Sequence, residues 1–225
     1  MDHDVVRKAP LFAALDEESA ASLIASMSRS HMERGDILFH EGDQGDRLYV
    51  IAEGKIKLGR TSPDGRENLL AILGPGEMFG ELSLFDPGPR TATATAVAET
   101  QVLALGNDEL KDYLASRPGV ATTLLAALAR RLRRTNESLA DLVFTDVPGR
   151  VAKALLDLSD RFGRPVEDGV MVSHDLTQEE LAQLVGASRE TVNKALADFV
   201  TRGWLKLEAR AVLLHDLERL RRRAR

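Results

Sequence analysis

Leu125, Leu128, Leu132, Thr135, Leu139 and Leu142 recur along the chain in alternating steps of three and four residues. That alternation is a heptad, with Leu125, Leu132 and Leu139 at a and Leu128, Thr135 and Leu142 at d. It predicts a long helix from about Pro118 to Val143 with the seam of a two-stranded coiled coil. The one polar seam residue is Thr135, with Asn136 beside it at e. A polar group in an apolar seam costs stability. It either sets the register of the pair or faces a ligand, and the seam alone leaves both readings open.

The pattern before this helix is different. Residues 5–28 carry Leu11, Phe12, Leu15, Leu23, Ile24 and Met27 at helical spacing, and Asp16 with Ser19 predicts a helix start. From Gly35 to Leu105, short apolar runs alternate with turn signals. The runs are Ile37–Phe39, Leu48–Ile51, Ile56–Leu58, Leu69–Leu73, Ala92–Val97 and Val102–Leu105. Gly54, Gly65 and Gly76 punctuate them. Such spacing predicts an antiparallel barrel or jelly roll of roughly 70–80 residues, a shape that often encloses a small ligand.

After the long helix, Asp146 predicts an N-cap with Pro148 just inside the next helix, whose face is Val151, Leu155, Leu156 and Leu158. Residues 163–173 read as loop with one short strand. Thr177-Gln178-Glu179-Glu180 is a capping box ahead of Leu181, Leu184 and Val185, and Gly186 ends that helix after about eight residues. Ser188 caps the next helix. Its buried face is Val192, Ala195, Leu196 and Phe199, and its opposite face is Arg189, Glu190, Asn193 and Lys194. Two short helices joined at a glycine, the second with a polar face, form the helix-turn-helix pattern. Trp204–Leu207 and Val212–Leu214 then predict a wing. The expected class is α+β: a β-roll (double-stranded jelly roll), a long dimerisation helix and a C-terminal winged helix-turn-helix. The expected domains are an effector domain over 1–117, the helix and hinge over 118–145, and a DNA-binding domain over 146–225.

Composition narrows the chemistry. The chain has 225 residues and no cysteine, which removes disulfides, thiolate metal sites and cysteine nucleophiles. No apolar run approaches the ~18 residues of a membrane span, and no signal segment is evident, so a cytoplasmic protein away from membranes is expected. Net charge is −8 over residues 1–117, with 20 acids against 12 bases. It is +1 over residues 146–225, which end in the basic run Arg219 to Arg225. That asymmetry fits a nucleic-acid partner at the C-terminal end.

Two constellations carry chemistry. Phe79-Gly80-Glu81-Leu82-Ser83 is followed by Asp86-Pro87-Gly88-Pro89-Arg90-Thr91. Gly80 allows close backbone approach. Glu81 can accept from ribose hydroxyls, Arg90 is a fork suited to phosphate, and Thr91 adds a hydroxyl. Spacing alone equally allows Glu81 and Arg90 to pair with each other on a loop. In the recognition helix, Arg189 can address guanine and Glu190 can accept from cytosine N4. His3, His31, His40, His174 and His215 are scattered without metal spacing, and the chain has no paired acid and base, no triad and no Walker loop, so no catalytic residue, no metal and no enzyme is expected. A jelly-roll enzyme of the cupin type would need clustered histidines.

These motifs carry a resemblance. Gly80-Glu81-Leu82 with Arg90-Thr91 looks like the phosphate-binding cassette of cyclic-nucleotide-binding domains. The chain from end to end resembles the cyclic AMP receptor branch of the bacterial receptor/fumarate–nitrate regulator superfamily. The further marks are Arg130-Arg131-Leu132 with Thr135, Asp146-Val147 with Gly149-Arg150, and Gly186 with Ser188-Arg189-Glu190-Thr191-Val192. The resemblance implies a cyclic AMP effector held by Gly80, Glu81, Leu82, Arg90 and Thr91, with Thr135 and Asn136 reaching the adenine, one from each subunit of a homodimer. The family's usual residue at the second of those positions is serine; here it is Asn136. The resemblance also implies double-stranded DNA read at TGTGA-like inverted repeats by Arg189, Glu190 and Lys194. The last stands where the family usually has arginine. Thr177, Gln178 and Ser188 would contact phosphate, and RNA polymerase would be a further partner. The alternative is a regulator of the same fold with another effector, or with ligand-independent DNA binding.

Overall fold

The computed structural model describes residues 3–12, 15–86 and 88–225. Ala13 and Ala14, inside the first predicted helical stretch, and Pro87, inside the Asp86–Thr91 motif, lie outside the described residues. The contacts divide the chain into two compact units, residues 1–60 with 70–133 and residues 61–69 with 134–225.

In chain order the first elements are α1 (His3–Val6), α2 (Glu17–Ser26), β1 (Ser28–Met32), β2 (Ile37–Phe39), β3 (Arg47–Glu53), β4 (Ile56–Thr61), β5 (Glu67–Leu73) and β6 (Met78–Phe79). Then follow α3 (Leu82–Phe85), β7 (Thr93–Ala96), β8 (Thr100–Gly106), α4 (Asn107–Ser116) and α5 (Pro118–Phe144). The strands form two sheets, ordered β1-β8-β3-β6 and β2-β7-β4-β5. Both faces of β3 are buried, which explains its unbroken apolar run. Leu48 and Val50 face a cluster with Phe12, Ile24, Leu105, Val120 and Leu124. Tyr49 and Ile51 face the interior of the roll with Ile56, Leu58, Phe79 and Ala94. The second set forms the wall behind the site.

The predicted helical stretch over 5–28 is only partly helical. Past α1 it runs through single turns, such as Lys8 N to Val5 O and Phe12 N to Ala9 O, before Asp16 caps α2 through Ser19 N. Its end, from Ser28, is strand β1, which pairs with β8 from Ser28↔Ala104 to Met32↔Thr100. Ser-Arg-Ser-His-Met has too little apolar content to show this. It is an edge strand, and exposed edges carry polar side chains.

The second unit holds α6 (Val147–Phe162), β9 (Gly163–Val166), β10 (Gly169–Ser173), α7 (Gln178–Val185), α8 (Arg189–Thr201), β11 (Leu205–Glu208), β12 (Ala211–Leu214) and α9 (Leu217–Arg223). Its sheet runs β11-β12-β10-β9. The stretch 163–173 is therefore a full hairpin. β9 is hard to read because Pro165 weakens the strand signal, and as an edge strand β9 tolerates it. The arginine-rich tail forms α9, capped by Asp216 and anchored by buried Leu220. Along α5, Val120 and Leu124 are buried, whereas Leu125, Leu132, Leu139 and Leu142 are more than half exposed.

The junction between α5 and α6 is held at Asp146. One carboxylate oxygen accepts from Gly149 N at 3.0 Å, and the other from Arg223 Nη2 at 2.6 Å. The Arg223 guanidinium, with help from the Gly149 amide, holds the carboxyl below its ordinary range. Asp146→Ala should cost about 0.5–2 kcal/mol, the usual worth of an N-cap. A depressed folded pKa stabilises only while the carboxylate is charged. The contribution is thus present above about pH 4 and fades as pH falls through the folded value. Urea unfolding of parent and variant should differ at pH 7 and converge in acid.

Candidate functional site: an arginine-floored cleft and a helix-turn-helix

The first unit contains a cleft of about 380 Å³, its open mouth included, lined by Phe39, Leu58, residues 80–83, residues 89–92 and Arg131. Gly80, Glu81, Leu82, Arg90 and Thr91 therefore come together as the motif predicts. Gly80 has φ +81, and a Cβ there would lie 2.8 Å from Arg90 Nη1 and 2.9 Å from Arg47 O. Glycine is required both for the backbone turn and for the space.

Arg90 lies on a loop, as the sequence suggests, but is buried there, 6% exposed. Its Nη1 donates to Gly80 O at 3.1 Å and Ser83 Oγ at 3.2 Å, and its Nη2 donates to Arg47 O at 2.9 Å. Asp46, largely exposed, is 4.0 Å away. Glu81, 2% exposed, accepts from Arg131 Nη1 at 2.7 Å. The two motif residues thus have separate partners, which replaces the mutual pairing left open by their spacing. Arg90 Nε and Glu81 Oε2 are buried and have no hydrogen-bond partner. Buried polar atoms are nearly always satisfied, so a donor and an acceptor left open in one cleft require an explanation.

Ser83 and Arg131 are site residues that sequence reasoning did not assign. Ser83 fits because Gly45 has no side chain: a Cβ there would lie 2.3 Å from Ser83 Cβ. Asn107 Nδ2 braces the same corner, donating to Gly45 O and Ser83 O. Arg131 had a signal. It precedes Thr135 by four residues, hence one helical turn on the same face. Thr135 and Asn136 are exposed on α5 in the stretch belonging to the second unit.

In the second unit, Thr177 and Glu180 complete the capping box, and Gly186 ends α7 at φ +70. Ser188 Oγ accepts from Thr191 N and so caps α8. Gln178, Ser188, Arg189, Glu190 and Lys194 are exposed. Glu190 and Lys194 form an i,i+4 ion pair at 2.7 Å, a surface contact weak enough to exchange for other partners. Arg150, unassigned from sequence, donates to Thr145 O, Val185 O and Gly186 O, tying the junction of α5 and α6 to the turn of the helix-turn-helix.

Residues 29–117 match the cyclic nucleotide-binding domain family, and residues 149–223 match the Crp-like helix-turn-helix domain family. The chain belongs to the cyclic AMP receptor family of transcription regulators. A member from Mycobacterium tuberculosis, a CRP-like cAMP-activated global transcriptional regulator, is 56% identical over 222 residues, 99% of each chain. The Escherichia coli cAMP-activated global transcriptional regulator CRP is 34% identical, covering 71% of this chain and 76% of its own. Among solved structures, the Thermus thermophilus catabolite activator protein is similar, with TM-score 0.56 and 38% identity, covering 96% of this chain and 98% of that one. The family is one of DNA-binding regulators rather than enzymes, with a cyclic nucleotide as effector. Among the described residues there is no acidic, histidine or cysteine cluster able to hold a metal, and no helix long and apolar enough to cross a membrane.

In this receptor-family cleft, Gly80→Ala should destabilise the unliganded chain by roughly 1 kcal/mol or more, because the positive φ is strained and the Cβ displaces Arg90. A thermal melt without ligand checks this. An unchanged melting temperature would contradict the close packing around Arg90.

Proposed function

We propose that the chain is a homodimeric regulator that cyclic AMP switches between DNA-binding states. The observation that carries this is the pair of open polar atoms in the cleft, Arg90 Nε and Glu81 Oε2. A cyclic phosphate offers an acceptor to the first and a ribose hydroxyl offers a donor to the second. Arg90 sets a buried positive charge against the single negative charge of a cyclic phosphodiester, while the Asp46 carboxylate 4.0 Å away is largely exposed. Gly80, Leu82 and Thr91 complete the seat for the sugar and phosphate. Thr135 and Asn136, one turn beyond Arg131, would read the adenine, their hydroxyl and amide both able to donate and accept.

The half-exposed Leu125, Leu132, Leu139 and Leu142 support a seam against a second copy, in which each buried leucine contributes about 1.5–3 kcal/mol. Residues 118–145 would then serve as dimerisation helix and hinge between an effector domain over 1–117 and a DNA-binding domain over 146–225. Arg150 and Asp146 would pass a change in α5 to the recognition helix. Two symmetry-related helices would read half-sites about one DNA turn, roughly 34 Å, apart, so the site would be an inverted repeat, and the family resemblance implies TGTGA-like halves. Arg189, Glu190 and Lys194 would address base edges, and Thr177, Gln178 and Ser188 the phosphates. The protein would act in the cytoplasm, with RNA polymerase as a further partner.

Arg90→Leu removes one side of a buried charge pair, which costs about 3–5 kcal/mol, or roughly 100-fold or more in affinity. Calorimetry with cyclic AMP and cyclic GMP should show that loss, in a variant whose folding is verified by circular dichroism because Arg90 also secures two backbone carbonyls. Parent-like binding would refute the cleft assignment.

Arg189→Ala should lose about 1–3 kcal/mol per half-site and relax discrimination at the base it faces. Mobility shifts on single-base variants of the repeat, with and without cyclic AMP, measure this. Undiminished discrimination would mean that α8 does not read the groove.

A further inference from the structure

Arg90 is fixed by more than its hydrogen bonds. Its guanidinium carbon lies 4.3 Å from the Phe39 ring centre and 5.5 Å from that of Tyr49. Phe39 is the outer member of a three-ring wall, 5.7 Å from Tyr49 and 6.0 Å from Phe79, which themselves stack at 5.3 Å. The backbone is shaped to put it there. Ile37 and Phe39 are two residues apart, and a regular strand would send both to one face. Instead Ile37 is 49% exposed and Phe39 lines the cleft. The pairing of β2 with β7 slips between them, from Ile37↔Thr95 to Phe39↔Ala94. Such a bulge re-aims a side chain, and bulges concentrate beside functional sites.

We infer that Phe39 is a positioning residue for phosphate recognition, its ring face fixing the plane of the Arg90 guanidinium so that Nε already points into the cleft. The inference rests on the cyclic-nucleotide reading above. Arg90 Nη1 and Nη2 are pinned by the carbonyls of Gly80 and Arg47. Those two carbonyls alone permit the guanidinium to roll about the line joining them, and the Ser83 hydroxyl on Nη1 restrains that roll at one end only. The ring blocks the roll and supplies an attractive face for the cation. Without it, the group must be ordered during binding, which weakens affinity by about 2- to 12-fold.

The test is calorimetry with cyclic AMP on the full chain. Phe39→Leu should bind about 2- to 12-fold more weakly, and Phe39→Tyr should restore parent affinity. Replacement of Phe39 by pentafluorophenylalanine keeps the ring's shape but reverses its face charge, so it should weaken binding too. This second variant decides the question if Phe39→Leu fails to fold. In an Arg90→Leu background none of these changes should matter further. Parent-like binding by the fluorinated variant would overturn the inference and leave Arg90 as the phosphate ligand. So would an equal loss in both backgrounds, which would make Phe39 a direct contact. Parent-like binding by Arg90→Leu alone would instead bring down the cyclic-nucleotide reading, and the inference with it.

Discussion

A guanidinium kept out of water, with the nearby Asp46 carboxylate largely exposed and no closer than 4.0 Å, is the constraint around which the effector unit is built. Removing such a charge from water costs several kcal/mol unless dipoles and hydrogen bonds replace the solvent. Here the replacements are carbonyl oxygens of Gly80 and Arg47, the Ser83 hydroxyl, and the faces of Phe39 and Tyr49. Burial also raises the Tyr49 phenol above its ordinary pKa, with Arg90 pulling the other way, so the ring remains neutral beside the cation. Each replacement makes a demand on the sequence. The Gly80 carbonyl is in place only because the backbone turns at positive φ, and Ser83 only because Gly45 leaves room.

Glu81 answers a different problem. A carboxylate 2% exposed would be costly alone, and Arg131 compensates it from α5. The same helix buries Val120 and Leu124 in the roll's core. The partner of Glu81, two core residues and four largely exposed leucines are thereby carried by one 27-residue helix.

Much of this was legible in the chain. Short apolar runs between turn signals, against helical spacing, separated the roll from the helices, and Thr177, Gly186 and Ser188 marked the helix-turn-helix because caps are local chemistry. The cassette could be named because Gly80, Glu81, Arg90 and Thr91 are close in sequence. What escaped depends on distant partners. Arg90's burial rests on Arg47, 43 residues away, and Arg150's role rests on carbonyls 35 and 36 residues away. Edge strands β1 and β9 escaped because their partners, not their composition, make them strands. The arginine tail was read only as basic charge, and the buried anchor that Leu220 gives α9 escaped for the same reason.

The clasp between Arg223 and Asp146 bears on how the chain matures. The two residues are 77 positions apart. Gly149 leaves room for the later segment, since a Cβ there would lie 3.2 Å from Arg223 O. During synthesis, α6 emerges with its cap half made and stays so until α9 has followed it out of the ribosome. The junction between α5 and α6 therefore completes its contacts only once α9 is present, and a nascent chain stalled before α9 would carry α7 and α8 beside a junction still lacking its clasp.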